Sequence, residues 1–209
     1  MKFTGAAVYN EKQVAKLLAG AKEVGEPILA ALTLALYYGL RRSEVLGLRW
    51  TDIDFENKTM TISNTVVQNG ELRIEVEETK TKKSHRSIGL IASTIPYLQA
   101  LKEKQKEAGL ILDKVCVWPD GNLVRPDYIT RKATKIMKKC SLPHIRFHDL
   151  RHTAASILAP HVTPKQLQEF LGHEDISTTL GIYTHILDDQ RKATSDTMDS
   201  LLGKSAILF

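Results

Sequence analysis

KTMTISNTVVQNGELRIEVEETKTKKSHRSIGL, residues 58–90, is the stretch on which the fold class turns. Elsewhere in the chain apolar residues recur every three or four positions, the spacing of a helix face, but here the period drops to two. Alternation in TMTIS and again in LRIEVEE, with the turn-forming QNG between, predicts an antiparallel hairpin. RSIGL is expected as a third strand that closes a small sheet. The same stretch carries Lys80, Lys82, Lys83, His85 and Arg86 in quick succession. Cations at a hairpin's exit are either a solvated surface or a face that meets a polyanion.

Helices surround this insertion. Asn10 can cap a helix reaching about Val24, with Gln13 completing a capping box and Val14, Leu17, Leu18 and Ala21 forming its apolar stripe. Pro27 opens a second helix, ILAALTLALYYG, which is apolar on nearly every side and so should be buried, and Gly39 closes it. Beyond the hairpin, helical spacing runs from about Ser93 to Ala108. VCVW reads as a short strand or buried turn and PDGN as a turn. Asp127 is a candidate cap for a helix ending near Cys140 among lysines, where the helix dipole favours them. HDLRHTAASILA, TPKQLQEFLGH, ISTTLGIYTH and a closing helix over about Asp188 to Leu202 complete the chain. No internal repeat or linker divides it. One mainly α-helical (α+β) domain with a small three-stranded antiparallel sheet is expected.

A chain of 209 residues can build one substantial core. Its net charge of +5 and pI near 9.1 favour polyanionic partners. A second basic cluster, Arg125, Arg131, Lys132, Lys135, Lys138 and Lys139, adds to that tilt. Cys116 and Cys140 have no metal-type spacing, and no disulfide is expected. The most apolar run, residues 28–38, falls short of the ~20 residues of a membrane span, and no signal-peptide pattern opens the chain. The expectation is a soluble, cytoplasmic protein.

HDLRHT, residues 148–153, bears the densest chemistry. His148 and His152 are four apart, as zinc ligands can be, while His148 and Arg151 are three apart, as groups gripping one phosphate can be. A zinc hydrolase would use Asp149 as its base and need a third ligand from His161, His173 or Asp175. A bland reading, in which both histidines cap or pack, also stands. Other candidates sit near element ends: Arg41 in GLRRSE, Lys80 after the hairpin, His173 after a helix-ending Gly172, and Tyr183 in IYTH.

On these motifs the chain resembles the catalytic domain of the tyrosine recombinases, the phage integrase family, and especially the integrases of conjugative transposons and phages of Gram-positive bacteria. The likeness runs from about Tyr9 to Leu202. The resemblance implies a catalytic set of Arg41, Lys80, His148, Arg151, His173 and the nucleophile Tyr183, with Glu44 supporting the site from behind and Lys82 and Lys83 competing with Lys80. It implies DNA contacts by Lys82, Lys83, His85, Arg86, Arg131, Lys132 and Lys135. It also implies double-stranded DNA and further protomers, tetrameric on DNA, as partners, with no cofactor and no metal. Such recombinases usually carry a core-binding domain ahead of the catalytic one, and integrases often an arm-binding domain before that. Neither is legible before Tyr9, so a single catalytic domain over 1–209, an excised or truncated piece, is expected, with 188–209 a segment that protomers can exchange.

The chemistry is consistent with the likeness. A phosphodiester repels nucleophiles, and attack adds charge that two guanidinium forks can absorb where other enzymes use Mg²⁺. A type IB topoisomerase would use the same groups, and a plain DNA-binding domain would need the basic patches alone.

Overall fold

The computed structural model describes residues 7–69, 72–76, 85–173, 175–177, 179–181 and 183. The first helix, α1 (Glu11–Val24), starts on the expected box: Asn10 accepts from the Gln13 backbone N–H, and the Gln13 side chain accepts from the Asn10 N–H. Its buried stripe is Leu17, Gly20 and Ala21. Helix α2 (Ile28–Tyr37) is the centre of the molecule. Ile28 and every residue from Ala30 to Leu36 are buried, because α1, α3 (Arg42–Gly47), α5 (Pro126–Lys139) and α6 (Asp149–Leu158) all pack on it. Each large apolar side chain buried there contributes roughly 1.5–3 kcal/mol.

The β region departs from expectation in its pairing. QNG does join two strands, but these are β3 (Thr65–Asn69) and β4 (Leu72–Val76), a two-stranded ribbon with Val67 opposite Ile74. TMTIS contributes β2 (Thr59–Ile62), the middle strand of a separate three-stranded antiparallel sheet. Its neighbours are β1 (Ile53–Asp54), which the sequence reading missed, and β5 (Arg86–Gly89), with Met60 opposite Ile88. Alternation along β5 buries Arg86 and Ile88 and exposes Ser87 and Gly89.

Helix α4 (Ile95–Glu107) follows, and then the expected turn, bridged by Val117 and Leu123. Asp127 does not cap α5. Pro126 takes the first helical position, and Asp127 lies in the first turn. Helix α7 (Pro164–Leu171) has a full capping box from Thr163 and Gln166 and ends on Gly172 in the left-handed region (φ 67°, ψ 48°). Residues 176, 177, 179–181 and 183 are helical. The closing helix expected over 188–202 lies outside the described residues. Among the described residues no helix is long and apolar enough to cross a membrane.

Candidate active site

Two helix ends meet here, those of α2 and α7. Helix α2 ends at Gly39 (φ 62°), and a Cβ there would lie 2.6 Å from Leu171 Cδ2, so the turn packs directly on the end of α7. The chain then reverses into α3 with Arg41 at its N-cap. Glu44, three residues on, accepts from the Arg41 backbone N–H (2.8 Å) and from Arg41 Nη1 (2.7 Å). Arg41 Nη2 donates to the Gly172 carbonyl at 3.2 Å. The arginine is thus clasped at its base and half open to solvent.

Arg151 is buried, with 2% of its surface exposed. Its Nη1 donates to the Gly39 carbonyl (2.7 Å) and its Nη2 to the Leu171 carbonyl (2.5 Å), two carbonyls at helix ends that lack partners within their own helices. Its Nη1 also lies 3.9 Å from Glu44 Oε2. Burial, with Arg41 alongside, pulls Arg151 down to about 9, which leaves it charged at neutral pH. Burial alone would raise the Glu44 carboxyl, but hydrogen bonds from Arg86, and the charges of Arg86, Arg41 and Arg151, bring it to about 2.

His148 sits at the N-cap of α6 and opens on a cleft of about 800 Å³ lined also by Arg41, Arg42, Val66, Thr130 and Arg146. Its ring meets that of His152 edge-on at 5.1 Å. Desolvation, then the neighbouring imidazole and Arg151, lower its pKa, which favours a neutral ring able to accept a proton. His173 follows Gly172 and pairs through Nδ1 with Thr179 Oγ1 at 2.9 Å. Burial, then Arg151 and Arg41, push it to about 3. Tyr183 is buried in a small apolar cluster with Ala155, Ala159, Leu167 and Leu171. Its hydroxyl donates to the Val162 carbonyl at 2.5 Å, and burial raises its pKa.

The structure therefore gathers Arg41, Glu44 and Arg151 into one connected group, with His173 beside it and His148 at the cleft. Tyr183 lies on the α7 side with its hydroxyl bonded to Val162. Lys80, Lys82 and Lys83 fall outside the described residues. Of the proposed DNA contacts, His85, Arg131 and Lys135 are exposed and Lys132 is half-buried. Arg86 is a correction. It is buried, and it donates from Nη1 and Nη2 to the two Glu44 oxygens at 3.1 Å each, so it faces the protein and not a duplex.

The sequence reading missed Arg42 and Arg146 in the cleft. Arg42 donates to Thr130 Oγ1 (2.8 Å), and Arg146 pairs with Asp149 (2.8 Å). The pattern Arg146-Phe147-His148, with Phe147 buried between two exposed residues, was the available signal. The zinc reading loses its parts: Asp149, its would-be base, is bound to Arg146, and no three His, Cys, Asp or Glu side chains gather into a metal site among the described residues.

The sequence model of the Phage integrase family matches residues 8–190. The chain belongs to that family. It is 31% identical over 217 aligned positions to a XerC-like tyrosine recombinase of Caldanaerobacter subterraneus subsp. tengcongensis, covering 95% of this chain and 55% of that protein. It is 30% identical to the transposase of transposon Tn916 from Enterococcus faecalis, covering 89% of this chain and 49% of the relative. The chain spans about half the length of the curated relatives it matches. Among solved structures, the Tn1549 transposon integrase in complex with transposon right-end DNA superposes with a TM-score of 0.78 at 25% identity, covering 91% of this chain and 65% of that one. The expected fold, mainly helical with a small three-stranded antiparallel sheet, is the fold of this integrase family member.

Proposed function

We propose that this chain is the catalytic part of a site-specific recombinase, which breaks and rejoins double-stranded DNA through a 3′-phosphotyrosine link. The observation that carries the reading is the junction of Arg41 and Arg151 over Glu44, fixed by the ends of α2 and α7 beside an open basic cleft. Two forked cations held without slack are suited to a phosphoryl group whose charge grows during attack.

In this reading the Tyr183 oxygen attacks phosphorus, and its proton passes to His148, whose lowered pKa keeps it free to accept. The bond from phosphorus to the 5′ oxygen breaks, and that oxygen takes its proton from Lys80. Arg41, Arg151 and the His173 ring N–H donate to the non-bridging oxygens. The linkage keeps the phosphodiester's energy, so a second 5′ hydroxyl can reseal the strand without ATP. Exposed Arg131 and Lys135 and half-buried Lys132 would bind flanking phosphates, with His85 and the residues 82 and 83 beyond the hairpin. Further protomers on DNA, a tetramer in the whole protein, exchange of the segment 188–209, a single catalytic domain over this chain and a cytoplasmic setting belong to the same proposal.

The test is incubation with a pool of nicked duplexes of randomised core sequence, from which covalent protein–DNA adducts are isolated and sequenced. The unaltered chain should yield adducts in EDTA, and Tyr183→Phe should yield none. Adduct from Tyr183→Phe, or none from the unaltered chain at any core sequence, would overturn the reading.

A further inference from the structure

Arg86 stands at the junction of three pieces of this site, and phosphate binding gives it no task. As the first residue of β5 it shares the inward face with Ile88, and only 6% of its side chain is exposed. Its Nη1 and Nη2 close on both oxygens of Glu44 at 3.1 Å, and its Nε donates to the Phe170 carbonyl at 3.1 Å. Its side chain also lies across Gly172: a Cβ on that residue would fall 2.8 Å from Arg86 Cδ and 2.9 Å from Nη1. One guanidinium therefore touches the carboxylate that clasps Arg41, the last turn of α7 and the glycine from which His173 departs. The segment bearing Lys80 leads into the strand that Arg86 begins.

We propose that Arg86 is a positioning residue for the cleavage step. It fixes the rotation of the Glu44 carboxylate, and so the direction of Arg41, while locking the α7–Gly172 turn that presents His173. This rests on the recombinase reading above. The bidentate geometry is central to the argument. Arg41 also meets both oxygens, but its half-open side chain can follow a turn of the carboxylate, whereas the buried Arg86 fork, anchored on the Phe170 carbonyl as well, opposes it. Glu44 already spends one oxygen on the Arg41 guanidinium and the other on the Arg41 backbone, so a rotation there would tilt the catalytic arginine. Ground-state DNA binding, spread over many phosphates, would register that tilt little. The transition state, which needs both forks aligned on one phosphorus, would register it strongly.

The experiment uses this chain with one nicked duplex, its sequence fixed beforehand from adducts formed by the unaltered protein. Arg86→Lys, Arg86→Gln, Glu44→Gln and the double variant Arg86→Gln/Glu44→Gln are compared. For each, the single-turnover adduct rate at saturating DNA, the Kd for the duplex and the urea midpoint are measured. Both Arg86 variants should slow the saturated rate roughly 100-fold, the loss expected of a misplacement of about 1 Å, with Kd little changed. Lysine keeps the charge but not the fork, so it should fail to rescue. The double variant should be scarcely slower than the worse single one. Full activity in Arg86→Lys, multiplying effects in the double variant, or losses that follow the folded fraction alone would each overturn the proposal. No adduct from the unaltered chain would remove the recombinase reading and this inference with it, whereas adduct with indifferent Arg86 variants removes only the inference.

Discussion

Arg151 and Arg42 belong to the same site and are held on opposite terms. Arg151 is sealed under α2 and α7, its donors fixed on two backbone carbonyls and its charge answered by Glu44. Arg42 is exposed on the rim, with its Nη1 on the hydroxyl of Thr130. The floor, made of Arg86, Glu44 and Arg151, has given up its water and depends on every partner being present. The rim, made of Arg42, Arg146 and His148, keeps solvent as an alternative partner. On the recombinase reading, geometry for one phosphorus would be stored in the floor, while the rim would supply attraction along the duplex.

The sharpest way to break this contrast is to remove the floor's carboxylate. Glu44→Ala leaves buried guanidiniums facing one another, and the cost should be about 3–5 kcal/mol by chemical denaturation. A cost below ~1 kcal/mol would mean that water reaches the floor and the distinction fails. Next in size, Arg151→Met should lose about 2–4 kcal/mol, since it strands the carbonyls of Gly39 and Leu171 and leaves Glu44 with less compensation.

Acid should act on the floor in a defined direction. Glu44 sits at about 2 folded against 4.5 unfolded, and His173 at about 3 against 6.5. Between each pair of values the unfolded chain binds the extra proton, so stability rises with pH. The His173 contribution is fully present above pH 6.5 and is lost as pH falls toward 3. Urea midpoints at pH 7 and pH 5 should therefore differ, lower at pH 5, and His173→Gln should narrow the gap. A midpoint that climbs on acidification would contradict the assignment.

How much of this was legible in the sequence depended on what each residue's neighbours were. Helix α1 could be read to its cap because Asn10 and Gln13 are local partners, and α2 because all-sided apolarity has one physical outcome, burial. The sheet was read with the wrong partner for TMTIS, since its alternation does not disclose that TVVQN, directly before the turn, is the segment that pairs with LRIEV. Arg86 was placed on the surface because a run of cations suggested one. The alternation R-S-I-G, with Ile88 needing an inward face, carried the contrary signal. Glu44 came from resemblance alone: Arg41 is its local partner three residues earlier, but Arg86 on β5 and Arg151 on α6 meet it only in the fold.

Smaller effects test the remaining parts of the comparison. Tyr183→Phe forfeits the bond to the Val162 carbonyl and should lose about 1 kcal/mol by urea denaturation, while adduct formation should vanish if Tyr183 is the nucleophile. At the bottom of the scale, Arg42→Ala and Lys135→Ala should each move stability by less than ~0.5 kcal/mol. Each should also flatten the salt dependence of DNA binding by roughly one unit of slope if it meets a phosphate. Equal slopes before and after would take that residue out of the interface.

Glu44 is a single negative group shared by Arg41, Arg86 and Arg151. A cluster with that stoichiometry carries excess positive charge, which backbone carbonyls of Gly39, Phe170, Leu171 and Gly172 answer only in part. Inorganic phosphate and sulfate should therefore bind at the partly open Arg41 end of this group and, by linkage, raise the melting temperature as their concentration grows; a midpoint that neither anion moves would contradict this. On the recombinase reading they would also compete with the duplex for Arg41. Affinities taken in phosphate buffer and in chloride at equal ionic strength are then different quantities, and the choice of buffer anion becomes part of any measurement on this site.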